Sequence, residues 1–246
     1  MHSQPNQRFD LSKQVGIVTG GGRGIGRVIA LALAKAGMAV AVIARTKEQI
    51  SETVTIIEGV GGKAIAFPAD VTDRLAVEQT VLQVERRMGP VDLLVNNAGI
   101  GTFGPIQEMP VQSLRDTLEV NVVGPFMCMQ RAIGLMANTG GKIINIGSVV
   151  SIKGYPHQAA YTATKHGVLG LTKSLAIEAQ PHGIRVSAIL PGGVDTEMVA
   201  KSRPDLDRSV LMQPDDISNT VRYLLSLSPH CHVDEIYIRR RGAAPF

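Results

Sequence analysis

Tyr161 and Lys165 stand four residues apart in a stretch, Tyr-Thr-Ala-Thr-Lys, that reads as helix. Side chains at that spacing share one helix face. A tyrosine hydroxyl in water titrates near ~10, too high for easy proton exchange at neutral pH. An ammonium group beside it favours the phenolate and is expected to bring that value down. The pair is therefore a candidate general acid/base. Ser148 lies 13 residues before Tyr161 (161 − 148 = 13), directly after an apolar run. A hydroxyl at the end of a strand can donate to a carbonyl oxygen, although a serine there is also an ordinary turn or cap residue. Asn121 falls inside a long helical pattern, where asparagine is a poor choice. It is either a satisfied buried amide or a group with a task.

A second cluster of chemistry lies near the start of the chain. Thr19-Gly20-Gly21-Gly22-Arg23-Gly24-Ile25-Gly26 follows a strand and opens into a helix. Glycines let a backbone approach a pyrophosphate, and the free N–H groups of a helix start favour its charge. The spacing is Gly-x3-Gly-x-Gly, and a tight strand–helix turn alone accounts for such a run. An NAD site commonly places an acid about 20 residues further on, at the end of the second strand. Here that strand ends Ile43-Ala44-Arg45-Thr46. Two guanidinium groups, Arg45 and Arg23, suit the 2′-phosphate of NADP. The expectation is NADP(H) in preference to NAD(H).

Such groups need a scaffold. Apolar runs at residues 14–19, 39–44, 63–67, 91–95, 142–147, 184–190 and 233–238 read as strands. Helical patterns at 26–36, 47–58, 74–88, 113–136, 159–180 and 217–227 alternate with them. Alternation of this kind means βαβ units and a mostly parallel sheet with helices on both faces. The predicted class is α/β, one doubly wound Rossmann domain over residues 1–246 with seven strands. Ligands of such sheets bind beyond the carboxyl ends of the strands. Residues 1–10 are expected to be a flexible terminus, 199–213 a short mobile lid, and 239–246 a tail.

With these residues in order, the chain resembles the classical short-chain dehydrogenase/reductase family. The matching motifs are Thr19-Gly20-x3-Gly24-x-Gly26, Asp70-Val71, Asn96-Asn97-Ala98-Gly99, Asn121, Ser148, Tyr161-x3-Lys165 and Pro191-Gly192. The resemblance implies roles. Gly20, Gly22, Arg23, Ile25 and Gly26 would hold the pyrophosphate side and part of the adenosine ribose, and Gly24, Arg45 and Thr46 join them as cofactor-binding residues. Asp70 and Val71 would flank the adenine, and Asn97, Ala98 and Gly99 the middle of the cofactor. Lys165 would also bind the nicotinamide ribose, with Pro191, Gly192, Val194 and Thr196 bordering the nicotinamide. Tyr161 would donate the proton to a carbonyl steadied by Ser148, and Asn121 would hold a water leading from Lys165. The resemblance also implies a homodimer or homotetramer that pairs the two long helices. It is similar in general pattern to 3-oxoacyl-(acyl-carrier-protein) reductases, so an acyl carrier protein is a candidate partner.

Composition bounds the alternatives. Hydrophobic residues are 44% and aromatics 4%, without tryptophan, so the core is aliphatic. The net charge of +4 comes from scattered residues, apart from Arg239-Arg240-Arg241. No basic stripe with interleaved aromatics calls for nucleic acid, and no run reaches the ~18 apolar residues of a membrane span. Two cysteines do not make a disulfide framework, which fits a reducing cytoplasm. His230-Cys231-His232 has no further ligand cluster, so no metal is expected. Three functions stay open: an NADPH-dependent ketoreductase, an oxidative dehydrogenase of a sugar, steroid or other secondary alcohol, and a non-catalytic cofactor-sensing protein.

Overall fold

The computed structural model describes residues 10–202 and 206–244. The terminus expected to be flexible lies outside the described residues except for Asp10, and the lid and tail are described only in part. Seven strands form one sheet: β1 (Val15–Thr19), β2 (Ala39–Ala44), β3 (Lys63–Pro68), β4 (Leu93–Asn96), β5 (Gly141–Ile146), β6 (Ile184–Pro191) and β7 (Glu235–Ile238). Their order is β3-β2-β1-β4-β5-β6-β7, and every pairing is parallel. The order reverses direction between β1 and β4, where a crevice opens at the carboxyl ends.

Adjacent residues on each strand serve opposite faces, as the two-residue period requires. Val18, Val42, Val95 and Ile144 pack with Ile29, Leu33, Ile50 and Ile217 from α1 (Gly24–Lys35), α2 (Lys47–Gly59) and the last long helix. Ile17, Ile43, Leu94 and Ile143 pack on the other side with Val81 and Val84 of α3 (Arg74–Met88) and with helices that follow β4. A sheet covered on both sides explains strands that read as nearly continuous aliphatic runs.

The long pattern expected at 113–136 is not one regular helix. It runs as α4 (Val111–Leu118), a wide π-type turn over Glu119–Val123, and α5 (Gly124–Met136). Pro125 is the physical reason. It has no N–H to give to the carbonyl four residues back, that of Asn121, and its ring crowds that carbonyl. The widened turn holds Asn121 fully buried. After β5 comes α6 (Ala159–Ala179). α7 (Glu197–Ser202) overlaps the segment taken for a lid, beginning before its expected start at residue 199. The last long helix, α8 (Pro214–Ser226), begins three residues earlier than its apolar pattern. Pro214 suits the first helical turn, and Asp216 accepts from the Gln213 N–H at 2.8 Å.

The Arg-rich tail turns back on itself. The Arg239 guanidinium donates to the carbonyls of Arg241, at 3.4 Å, and of Ala243. Among the described residues no helix is long and apolar enough to cross a membrane.

Candidate active site

The ends of six strands deliver the candidate residues to one cleft of about 470 Å³. Every residue given a role above in cofactor binding or reaction lines it, except Gly26 and Asn121. Those two act from behind. A side chain at Gly26 would collide with the Gly20 carbonyl and the Asn97 amide, so the helix start can approach the loop only with glycine there. Gly20 adopts φ +65, a region that favours glycine. The Thr53 hydroxyl donates to the Gly21 carbonyl at 3.1 Å, and Arg27 donates to the Gly22 carbonyl at 2.6 and 2.9 Å. Side chains thus hold loop carbonyls that a phosphate would repel. Asn97 ties the loop to the end of β4, donating to the carbonyls of Thr19 and Gly20 at 3.1 and 3.2 Å.

Asn121 pins the segment after β4. Its amide oxygen accepts from the Ile100 N–H and its amide nitrogen donates to the Ile100 carbonyl, both at 2.8 Å. The same nitrogen donates to the Thr164 hydroxyl of α6 at 3.0 Å. Both readings of this residue therefore apply: the amide is buried and satisfied, and it sets the wall of the cleft. Ser148 caps the short turn after β5 through the Val150 N–H at 3.3 Å, so it too does the ordinary work of a turn serine while facing the cleft.

The electrostatics of the Tyr161–Lys165 pair correct the expectation. The Lys165 ammonium donates to the Ile146 carbonyl at 2.8 Å and lies 5.7 Å from the centre of the Tyr161 ring. Burial lowers its pKa to about 8. Burial also dominates at Tyr161, pushing the phenol up to about 12 against the opposing hydrogen bond with Ser148. The Tyr161 side chain is partly open to the cleft, so water there tempers the rise. The neighbouring ammonium does not bring the phenol down in the protein by itself. The arrangement is a protonated phenol and a serine hydroxyl facing one space, which can donate a proton to an oxygen placed there.

Arg23 and Arg45, the two guanidinium groups expected to suit a 2′-phosphate, each stand beside a carboxylate. Arg23 pairs with Glu197 of α7, and Arg45 lies 3.6 Å from Asp70. Burial pushes Asp70 up, but the N–H and hydroxyl of Thr72, with Arg45, outweigh it and hold the carboxyl below its ordinary value. Residues that sequence reasoning missed come from the far side of the cleft. Arg208 donates to Asp195 at 2.7 and 2.6 Å, and Ile100, Met198 and Val199 add apolar surface. Their chemistry carries no motif, and only the fold brings residue 208 back to 195. His232 is engaged by the Val186 carbonyl at 3.0 Å and by Asp234 at 3.3 Å. Among the described residues no group of three metal-ligating side chains occurs.

Comparison with known proteins agrees with this layout. Residues 14–207 match the family model described as short chain dehydrogenase. The 3-oxoacyl-[acyl-carrier-protein] reductase FabG of Staphylococcus aureus is 40% identical over 220 residues, 85% of this chain and 89% of that protein. The alcohol dehydrogenase of the archaeon Thermococcus sibiricus, complexed with 5-hydroxy-NADP, superposes with a TM-score of 0.88 at 31% identity, covering 95% of this chain and 99% of its own. A single-substitution variant of actinorhodin polyketide ketoreductase, with NADPH, gives 0.87 at 32% identity, covering 92% and 96%. With the family model spanning most of its length and a relative at this identity, the chain belongs to the short-chain dehydrogenase/reductase family of oxidoreductases.

Proposed function

We propose that this protein is an NADP(H)-dependent reductase of carbonyl compounds, with Tyr161 as proton donor and Ser148 steadying the carbonyl oxygen. One observation carries the reading: Ser148, Tyr161 and Lys165 share a single cleft with the glycine loop and with Arg45. The loop fits a dinucleotide, since Gly20, Gly22 and Gly24 line the cleft at the start of α1, where free N–H groups favour a phosphate. Arg45 stands at the end of β2, where an acid would favour a bare ribose, and Arg23 lines the same cleft. When bound, the nicotinamide would supply the hydride. Gly20 to Gly26, Asp70, Val71, Asn97 to Gly99, Lys165 and Pro191 to Thr196 would hold it in place. The Tyr161 phenol and the Ser148 hydroxyl line the same cleft, an arrangement suited to giving a proton to a carbonyl oxygen in the reductive direction.

The FabG relative and the ketoreductase neighbour support a 3-oxoacyl or similar ketone substrate, delivered free or on a carrier protein. Phe126 on α5 and Ile177 on α6 are exposed apolar side chains on the two helices expected to pair copies of the chain. The free cysteines support a reducing, cytoplasmic setting. We read residues 1–246 as one catalytic domain with a lid at 199–213.

Titration of the protein with NADPH and NADH, followed by turnover with a 3-oxoacyl thioester, tests the reading. NADPH should bind roughly tenfold more tightly, and Arg45→Ala should remove most of that margin, on the scale of one charge-assisted contact. Tyr161→Phe should keep cofactor binding and lose roughly 10²–10⁴ in turnover. Tighter binding of NADH would overturn the cofactor assignment, and full activity in Tyr161→Phe the role of the phenol.

A further inference from the structure

The segment after β4 is fastened at every second residue. Ile100 is clamped by Asn121 through two hydrogen bonds of 2.8 Å. The Thr102 hydroxyl meets the Thr117 hydroxyl of α4 at 2.9 Å, and Thr117 donates to the Ser113 carbonyl at 2.6 Å. The Gly104 N–H donates to the His157 carbonyl at 2.8 Å, joining this segment to the one that precedes α6. Gly101 and Phe103 fall between these anchors. The Phe103 ring lies 5.5 Å from the Tyr161 ring, tilted by 56°. A Cβ on Gly101 would come within 2.5 Å of the Phe103 ring edge and 3.5 Å of the Met198 sulfur. Glycine at 101 is what lets the ring occupy its position, and Met198 of α7 closes over the same space.

The three anchors hold the Phe103 ring against the Tyr161 ring, beside the stretch of the cleft that Ile100, Tyr161 and Met198 line. The Thr102 hydroxyl of this segment is engaged with the Thr117 hydroxyl of α4. The charged pair on the far side of the cleft, Arg208 and Asp195, is likewise closed on itself. A polyhydroxylated substrate would leave its hydroxyls against carbon here, at the cost of unmade hydrogen bonds.

We infer that Phe103, whose position the glycine at 101 permits, is a specificity-determining residue whose ring selects carbonyl substrates with a flat or extended apolar substituent beside the reacting carbon. The inference rests on the proposed carbonyl chemistry at Tyr161 and narrows its substrate class, favouring aryl and alkyl ketones over sugars.

Binding and turnover separate the two ideas. Dissociation constants of acetophenone and of dihydroxyacetone should be measured by calorimetry on the NADPH-saturated Tyr161→Phe protein, in the presence and absence of Phe103→Ala, Phe103→Leu or Gly101→Ala. Acetophenone should bind more tightly than dihydroxyacetone. Phe103→Ala and Gly101→Ala should each weaken acetophenone roughly tenfold, the scale of one aromatic contact, while dihydroxyacetone changes little. Phe103→Leu should retain most of the affinity. No detectable acetophenone binding, a preference for dihydroxyacetone, or equal losses for both ligands would overturn the inference. Selective acetophenone binding without turnover of either ketone by the wild-type protein would instead sink the carbonyl-reductase reading and leave the apolar wall standing.

Discussion

Lys165 holds its ammonium group where the surrounding protein disfavours charge, and this has a measurable consequence for stability. Its pKa falls from 10.5 to about 8 on folding. Between those values the unfolded chain binds more protons than the folded one, so stability rises with pH across this window. The contribution is complete above 10.5 and is lost as pH falls through about 8. Lys142, lowered to about 8 by burial and by Arg185, acts in the same direction. Tyr161, raised from 10.0 to about 12, opposes them above pH 10. In urea unfolding of the cofactor-free protein, the wild type should gain stability between about pH 7.5 and 9.5, and Lys165→Met should gain less, by on the order of 2 kcal/mol. Identical pH slopes would show that the ammonium is not desolvated. At this scale the sequence reveals which groups act but not their state. Tyr-x3-Lys identified the pair and its shared helix face, yet neighbouring charge suggested a lowered phenol where burial raises it. Burial depends on what β5 and α6 pack against, and no spacing of two residues carries that.

The strands and helices were legible because both periods are strong. Seven strands and the main helices lie within a few residues of their apolar patterns. The break at Glu119–Val123 was harder to see, although both of its causes, Asn121 and Pro125, stand in the sequence. A proline is tolerated at a helix start and disruptive within one, and the pattern from 113 to 136 hid that a new helix begins at Gly124. A second device joins elements across the sheet. The Asn96 amide donates to Asn145 at 2.9 Å, and the Asn145 amide donates to the Thr172 hydroxyl of α6 at 2.9 Å. Thr172 in turn donates to the Val168 carbonyl at 2.8 Å. All three side chains are buried, so the chain fastens the helix that carries Tyr161 to β4 and β5. Thr172→Val keeps the shape but leaves the Asn145 amide short of an acceptor. It should destabilise the protein by about 1–3 kcal/mol in thermal or denaturant unfolding. A neutral effect would mean that the helix is positioned by apolar packing alone.

Across the whole molecule, two ion pairs fasten the segment between β6 and α8 over the cleft. Arg23–Glu197 links it to the glycine loop, and Arg208–Asp195 holds its far end to its near end. Backbone contacts close the same excursion: the Asp195 N–H donates to the Met212 carbonyl at 2.8 Å, and the Met212 N–H to the Gly193 carbonyl at 3.1 Å. The sequence marked this stretch only by what it lacked, a strong apolar period, and so its partners were not legible. Glu197 faces the guanidinium assigned to the cofactor. Glu197→Gln should therefore tighten NADPH binding a few-fold at low ionic strength, with the difference shrinking at about 0.5 M salt as expected for exposed charges. Weaker binding in that variant would show that the carboxylate supports the bound state.

The pairing of Arg23 and Arg45 each with its own carboxylate also changes which anions can compete for the cleft. A single inorganic phosphate or sulfate must displace one carboxylate for each arginine it takes, gaining little from the exchange. A dinucleotide makes many contacts on one covalent framework, so after the first exchange the others proceed at high effective concentration. On the proposed NADP(H) reading, the two carboxylates thereby favour a ligand that makes several contacts over a single small anion, so added phosphate or sulfate should compete only weakly with the dinucleotide.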